Sequence, residues 1–237
     1  MSAATAAASR DEHGELIRPE TDNWLQRTSV EDVLAHCPEQ VEKLLDALNL
    51  DHPGLEDVQA AVDASDTAAA CRALLDYYEE SGRCDWIVNH LPEPSQRHLR
   101  IANDILERRH HKGRSVGTIP EHNGAWNWNY TGPKGDREYA FNLNRHPFFD
   151  DLLLAWRETG DKTYAKAFDR IVRDWILHTV YPGENHQYVW TWRVLEASLR
   201  MRRWLPAFHG FLDSPDFTPA GRLLMLSSFV EHGRYIK

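Results

Sequence analysis

The sequence predicts an all-α protein built from stacked antiparallel helical hairpins. In the second half of the chain, apolar residues recur at the spacing of one helix face, most clearly at Tyr164, Phe168 and Trp175. Consecutive helical segments are separated by only a few residues, as at Gly160 and Asp161. Helices with such short connections pack side by side in opposite directions. The 237 residues are enough to bury a sizeable core.

The chain is predicted to divide into an N-terminal tail, residues 1–28, and a helical domain, residues 29–237. The tail is rich in Ala and Ser, then charged, and lacks apolar periodicity, so we expect it to be disordered or loosely docked. Residues 1–66 contain 15 acidic and 4 basic side chains, whereas the remainder contains 21 acidic and 23 basic ones. The net charge of −9 therefore does not exclude an anionic ligand for the body of the protein.

Four helical segments are predicted before residue 110. Ser29 is a suitable N-cap for the first, with acidic residues in the next turn, and Pro38 interrupts it. Gly82 stops the third, and Ile101 and Ile105 are spaced i, i+4 in the fourth. The predicted segments are 29–50, 55–64, 66–81 and 95–109.

A basic segment, residues 97–114, overlaps the end of the fourth helix. It contains six Arg or Lys residues against two acidic ones. Such a segment either attracts a sulfated chain or forms an ordinary solvated basic face.

Residues 109–138 interrupt the helical pattern with five glycines and two prolines. Trp126, Trp128 and Tyr130 alternate with asparagines, which indicates a short strand or an extended loop. A loop of this length in a compact domain is usually functional.

Several tryptophans have the flat, amphipathic faces that bind sugar rings. An interior position is the alternative, because Trp side chains mostly point inward. Trp175 and Trp204 lie on apolar helix stripes and are predicted to be core residues. The candidates for sugar binding are Trp126, Trp128, Trp190 and Trp192.

The stretch 139–156 is the strongest candidate for a ligand site. Its first apolar residues alternate, which predicts an extended lead-in over 139–143. Asn144, Arg145 and His146 then immediately precede an apolar helix, where polar groups are well placed to bind an anion. Arg145 would clamp a carboxylate, with Asn144 and His146 as orienting donors. Alternatively, Asn144 and Arg145 cap the helix and fasten the loop.

Three further helices are predicted after residue 160. They begin at Asp161, at about Val189 and at Thr218, and the last still continues at Lys237, as in a truncated chain. One face of the second helix is charged, which fits either a salt-bridged face or a ligand site. The residues of this face are Arg193, Glu196, Arg200 and Arg203.

No cofactor, metal or nucleic-acid partner is predicted. Cys37, Cys71 and Cys84 lack metal-ligand spacing. Nucleophile motifs, phosphate-binding glycine loops and zinc signatures are absent from the sequence. No apolar run approaches the roughly 20 residues of a membrane-spanning helix, so no membrane partner is predicted. No signal peptide is visible at the N-terminus.

Several short motifs occur in a fixed order along the chain. They are Trp126 with Trp128, Leu143–His146, Thr159–Asp161, Tyr164–Ala165, Asp174–Ile176, Trp192–Glu196 with Arg200 and Trp204, and His232–Ile236. As an ordered set over residues 55–237, they resemble the N-terminal region of the heparinase II/III-like polysaccharide lyases.

The resemblance implies that the chain forms part of an (α/α) toroid, which a C-terminal β-sandwich would follow. It also implies β-elimination on a uronic-acid-containing polysaccharide such as heparan sulfate or alginate. In that reaction Asn, His or Arg neutralises the carboxylate, and Tyr or His removes the proton at C5. The family's catalytic Asn–His pair, its Tyr and the His of the β-sandwich would fall beyond Lys237. We therefore expect no catalytic residue in this chain.

The predicted function is the N-terminal part of a polysaccharide lyase whose partner is an anionic polysaccharide. The alternative is a non-catalytic helical carbohydrate-binding or interaction module, because a fold alone does not determine function. The resemblance suggests a periplasmic or secreted location. The predicted substrate-binding residues are Asn144, Arg145, His146, Trp126, Trp128, Trp192 and Arg193.

Overall fold

Helices form most of the described part of the chain. The computed structural model describes residues 9–10, 16–17, 23–82, 84–122, 124–179, 181–183 and 189–237. The α-helices are α1 (Val30–His36), α2 (Pro38–Leu45), α3 (Glu56–Asp63), α4 (Thr67–Glu80), α5 (Asp85–Asn89), α6 (Gln96–Leu106), α7 (Arg137–Leu143), α8 (Phe148–Thr159), α9 (Lys162–His178), α10 (Val194–Phe211) and α11 (Pro219–Ile236). The antiparallel strand pairs are β1 (Ser9–Arg10) with β2 (Leu16–Ile17), β3 (Arg109–Lys112) with β4 (Ser115–Thr118), and β5 (Glu121–His122) with β6 (Ala125–Trp126). Among the described helices, none combines the length and apolar content that crossing a membrane requires.

Consecutive helices pack as hairpins. α3 packs on α4, α8 on α9 and α10 on α11, and α8 also contacts α6 and α10. Phe149, Leu152 and Leu153 of α8 are fully buried. The rings of Phe149 and Phe168, from α8 and α9, have their centres 4.8 Å apart. The predicted all-α fold of stacked antiparallel hairpins is confirmed.

The helix starts predicted at Ser29, Asp161 and Thr218 are confirmed. The Ser29 hydroxyl accepts a hydrogen bond from Asp32 N, and the Asp32 carboxylate accepts one from Ser29 N, which together form a capping box. Asp161 and Thr218 each accept an N–H of the first turn of their helix. Gly160 ends α8 with a φ of 68°, a left-handed conformation that glycine adopts without strain. These caps satisfy helix-end groups that would otherwise be unpaired.

The extended lead-in predicted over residues 139–143 is wrong, because this segment lies in helix α7. Asp136 starts the helix by accepting the N–H of Glu138. A short helix that is covered on most sides carries no clear 3.6-residue stripe. Its apolar residues at every second position therefore also fit the alternating pattern of a strand. The buried side chains of α7 are Tyr139, Ala140, Phe141 and Leu143.

The interruption predicted over residues 109–138 contains two small hairpins, β3–β4 and β5–β6. Trp126 lies in β6, in agreement with the predicted short strand. The helix predicted from about Val189 begins later, at Val194. Arg193 before it has an extended backbone, with φ −55° and ψ 140°, and Trp192 is packed into the core.

The end of the predicted tail is attached to the helical domain. Trp24 is buried in the core, and Arg173 of α9 donates to the carbonyls of Trp24 and Arg27 at 2.9 and 2.8 Å. Most of residues 1–22 lies outside the described residues. A disordered or loosely docked tail stays a prediction there.

Gly210 lies where α10 packs against Leu153 of α8, and an alanine at this position is expected to be destabilising. A Cβ would lie 2.6 Å from Leu153 Cδ2, and Leu153 is fully buried. Overpacking costs about 1–3 kcal/mol, whereas alanine gains only about 1 kcal/mol over glycine in a helix. We expect Gly210→Ala to lower the free energy of unfolding, measured by urea denaturation, by about 1 kcal/mol.

The matched control is Gly233 in α11, where an added Cβ would meet no atom within 4 Å. Gly233→Ala should raise the free energy of unfolding by up to about 1 kcal/mol. A gain in stability at Gly210 similar to that at Gly233 would contradict the close contact of α10 with α8.

Candidate functional site

Asn144 fastens the turn between α7 and α8 to two other elements. Its fully buried amide nitrogen donates to the carbonyls of Trp128 and Ala140, at 2.8 and 2.9 Å. Its amide oxygen accepts from Trp175 Nε1 at 2.8 Å. The turn is thereby tied to the tryptophan loop and to α9, as in the interpretation that assigned Asn144 a structural role.

His146 lies in the same turn and points into the core. Its φ of 50° is strained for a residue with a side chain. Trp204 Nε1 donates to His146 Nδ1 at 2.8 Å, so the neutral ring carries its proton on Nε2. Within the described part of the chain, Nε2 has no hydrogen-bond partner. Burial, and after it the Arg200 guanidinium, hold the pKa of His146 well below 6.5, so the ring is neutral.

Arg145, in contrast, is partly exposed, with 24% of its side chain accessible to solvent. Its Nη2 donates to Glu196 Oε1 at 2.8 Å, and a Glu138 carboxylate oxygen lies 3.9 Å from the same nitrogen. Glu196 is fully buried. Arg145 therefore neutralises a buried carboxylate while part of its side chain stays accessible to solvent.

Arg193 binds the same carboxylate from the other side. Its Nε lies 3.2 Å from Glu196 Oε2, and 26% of its side chain is exposed. The contact is an ion pair without a well-directed hydrogen bond, because Oε2 has no hydrogen-bond donor among the described residues. The guanidinium carbon of Arg193 also lies 4.0 Å from the ring centre of Phe141, a cation–π contact. Glu196 thus brings Arg145 and Arg193 together.

Arg137 extends this surface, and we call Arg137, Arg145 and Arg193 the arginine cluster. The guanidinium carbon of Arg137 lies 5.5 Å from the ring centre of Trp190. The Trp190 and Phe141 rings are in edge contact, with their centres 5.8 Å apart. Guanidinium groups bind carboxylates and sulfates through paired N–H donors, whereas the Trp190 and Phe141 rings are buried. The cluster therefore has the chemistry to hold an acidic sugar.

Trp126 and Trp128 are buried and are fastened to α9. The backbone N–H of Trp126 and Nε1 of Trp128 both donate to Asp174 Oδ2 at 3.0 Å. Burial raises the pKa of Asp174. His178, whose Nδ1 lies 3.0 Å from Asp174 Oδ1, offsets part of this increase. The two indoles face other side chains in this structure, and their role in sugar binding stays a prediction.

Trp192 is also buried, and its Nε1 donates to the carbonyl of Thr179 at 3.2 Å. Its ring lies against His232, with ring centres 4.5 Å apart. Trp175 and Trp204 are fully buried, so their predicted place in the core is confirmed. Trp192 belongs to the same aromatic interior rather than to the surface of the arginine cluster.

The charged face predicted for α10 is salt-bridged in part. Arg193 pairs with Glu196, and Arg203 pairs with Asp150 of α8. Arg200, however, is fully buried, which the charged pattern did not indicate.

The structure thus divides the predicted site residues into two groups. Arg145 and Arg193 meet at the surface, whereas the others lie in the interior behind them. Sequence reasoning missed Arg137 and Phe141, whose i, i+4 spacing would have placed them on one face had α7 been recognised as a helix. The interior group consists of Asn144, His146, Trp126, Trp128 and Trp192.

Stacked helical hairpins and a group of partly exposed arginines define a helical protein with a cationic surface. Residues 44–237 match the family model described as the heparinase II/III N-terminus. The chain therefore belongs to the heparinase II/III family, and the predicted partial (α/α) toroid agrees with that membership.

Heparin-sulfate lyases and heparinase structures are similar to this chain over most of its length. A heparin-sulfate lyase from Pedobacter heparinus is 28% identical over 213 residues, which cover 86% of this chain and 32% of that protein. The crystal structure of the heparan sulfate lyase HepC from Pedobacter heparinus aligns with a TM-score of 0.67 and 28% identity, covering 81% of this chain and 31% of that one. The heparinase III structure of the BT4657 gene product aligns with a TM-score of 0.68 and 28% identity, over 82% and 32% of the two chains. The chain spans about a third of the length of these relatives.

Proposed function

We propose that this chain forms the N-terminal part of the toroid domain of a polysaccharide lyase. Its substrate would be a uronic-acid-containing glycan of the heparan sulfate type, cleaved by β-elimination. The family match over residues 44–237 carries the proposal. The relatives named as heparin-sulfate lyases support it, because they match over more than four fifths of this chain.

In this proposal the arginine cluster binds the acidic groups of the glycan. β-Elimination requires the uronate carboxylate to be neutralised, because its charge opposes removal of the proton at C5. Arg145 and Arg193 are partly exposed and are paired to the same carboxylate, that of Glu196. They would contact the glycan directly. The five buried candidates would support the two arginines from the interior. They are Asn144, His146, Trp126, Trp128 and Trp192.

The test is an absorbance assay for the unsaturated uronate product, with heparan sulfate, alginate and hyaluronan as substrates. We expect the 237-residue chain to bind heparan sulfate and to form no product. In this proposal other segments of the lyase supply the acid and the base, and a catalytic set acts as a unit. Product formation by this chain would contradict that division of roles. Lack of binding to all three glycans would contradict the proposed function.

A second assay separates the lyase from the non-catalytic carbohydrate-binding module. It uses the longest polypeptide encoded by the same reading frame. Turnover of heparan sulfate by that polypeptide supports the lyase. Binding without turnover supports the module.

Arg145→Met is expected to weaken the binding of heparan sulfate by the chain about tenfold, because a charge-assisted contact is lost. The binding should also depend less on salt, since one fewer cation faces the glycan. Titration calorimetry at several salt concentrations measures both effects. The free energy of unfolding is determined in parallel, because the substitution removes one of the arginines paired to Glu196.

Arg100→Met is the matched control for Arg145→Met. Arg100 is an exposed residue of α6 and belongs to the basic segment 97–114. Its loss should change the affinity by less than about twofold. A large effect at Arg100 and none at Arg145 would move the binding surface to the basic segment.

A further inference from the structure

Arg200 is a fully buried cation that connects four parts of the fold. Its Nη1 donates to the carbonyl of Asn144 at 2.7 Å and to the carbonyl of Thr191 at 2.9 Å. Its Nε donates to His232 Nε2, in α11, at 2.9 Å. One guanidinium in α10 is therefore bonded to the α7–α8 turn, to the segment before α10, and to α11.

The surroundings of Arg200 offset the large cost of burying its charge. The guanidinium carbon lies 3.9 Å from the ring centre of Trp175, 5.3 Å from that of Trp192 and 5.9 Å from that of Trp204. These are cation–π contacts, which strengthen when the cation is desolvated. His232 accepts from Arg200 at Nε2, so its own proton is on Nδ1, 2.7 Å from the carbonyl of Ser228. The cation is thus fixed in position from several directions.

The two carbonyls bound by Nη1 belong to the two turns that carry the partly exposed arginines. Asn144 directly precedes Arg145, and Thr191 lies two residues before Arg193. We propose that Arg200 is a positioning residue that sets the separation of Arg145 and Arg193 through these two carbonyls. The proposal rests on the proposed function for its consequence, which is the binding of an anionic glycan by both arginines together.

Glu196 supports the same arrangement from one helical turn away. It lies four residues before Arg200 in α10 and is the carboxylate to which Arg145 and Arg193 are both paired. α10 therefore holds the backbones of the two turns through Arg200 and their side chains through Glu196. Small displacements of contacts in such a set weaken joint recognition of a ligand.

The test compares Arg200→Met, which keeps much of the apolar volume, with Arg200→Lys, which keeps the charge and one donor group. Heparan sulfate affinity is measured at several salt concentrations. We expect Arg200→Met to bind about tenfold more weakly and with less salt dependence, because the two arginines no longer act together. Arg200→Lys should lie between Arg200→Met and the unchanged protein.

Arg222 provides the matched control. It is also buried, lies in α11 and bridges two carbonyls, since its Nη2 donates to Leu212 O and Ser214 O at 2.9 and 3.1 Å. Among the described residues it also pairs with Glu79, and it is bonded to no member of the arginine cluster. Arg222→Met should lower the stability comparably and leave heparan sulfate affinity within about twofold.

A second measurement follows the arginines without any glycan. The Nε–H signals of Arg145 and Arg193 are recorded by NMR in protein labelled with ¹⁵N-arginine. We expect these signals to shift in Arg200→Met and Arg200→Lys and to stay unchanged in Arg222→Met. A general loss of stability would not produce this difference.

The outcomes separate the two proposals. Unchanged Arg145 and Arg193 signals in a folded Arg200 variant would overturn the positioning role, whatever the affinities are. Equal losses of affinity in the Arg200 and Arg222 variants would overturn it as well. Shifted signals in a protein that binds no glycan even when unchanged would support the positioning role and contradict the proposed function. If Arg200→Met does not fold, Arg200→Lys decides the matter by the same measurements.

Discussion

Asn144→Leu is expected to lower the free energy of unfolding by roughly 2–6 kcal/mol, out of the about 5–15 kcal/mol that a folded domain has. Leucine removes the present partners of two buried groups, the carbonyl of Trp128 and Nε1 of Trp175. Each such group costs about 1–3 kcal/mol when left unpaired. The carbonyl of Ala140 is less affected, because it also accepts the backbone N–H of Asn144 at 3.1 Å. Urea denaturation measures the loss.

Asn49→Leu serves as the control for this substitution. Asn49 is exposed in the connection after α2, and a surface substitution there should change stability by less than about 0.5 kcal/mol. A loss below about 1 kcal/mol for Asn144→Leu would mean that the amide does not hold the three elements together as its distances indicate.

Helix boundaries with local signals were predictable from the sequence. The Ser29 cap, the Gly160 stop and the stripe from Tyr164 to Trp175 each depend on residues within a few positions of one another. Such signals act through backbone hydrogen bonds and side-chain spacing that a single helix already contains. These predictions are confirmed because the tertiary structure leaves the local helical preferences unchanged.

Helix α7 was missed because its burial hides its period. An amphipathic helix shows its face by the contrast between apolar and polar sides, and α7 is covered on most sides. The same error concealed the relation between Arg137 and Phe141. An interpretation based on the Asp136 cap would have found the helix.

The candidate site was only half predictable. Arg145 and Arg193 were both singled out, but their meeting at Glu196 brings together residues that are 51 positions apart in the case of Arg145. The periodicity of a single helix cannot predict a contact between residues so far apart in the sequence. The burial of Arg200 likewise depends on its contacts with Thr191 and Trp192, in the segment before α10. These contacts form only when the chain is packed.

His110 is expected to destabilise the protein as the pH falls below 6.5. Burial lowers its folded-state pKa from 6.5 to about 4, so the unfolded chain binds the proton more tightly than the folded one. The stability contributed by the neutral ring is complete above pH 6.5 and is lost as the pH falls towards 4. The loss amounts to about 3 kcal/mol by pH 4. The variant His110→Gln keeps an amide near the position of Nε2, 3.0 Å from Asn142 Oδ1, and should flatten this part of the pH–stability curve, measured by urea denaturation.

Asp151→Asn is the matched variant with the opposite sign. Burial raises the folded-state pKa of Asp151 from 3.8 to about 7, so the folded protein binds this proton more tightly than the unfolded chain. The corresponding stability is complete below pH 3.8 and is lost as the pH rises, by about 4 kcal/mol at pH 7. Asp151→Asn should therefore gain stability relative to the unchanged protein as the pH rises from 4 to 7, whereas His110→Gln should lose relative stability over the same interval. Parallel changes in the two variants would show that burial does not set these two pKa values in opposite directions.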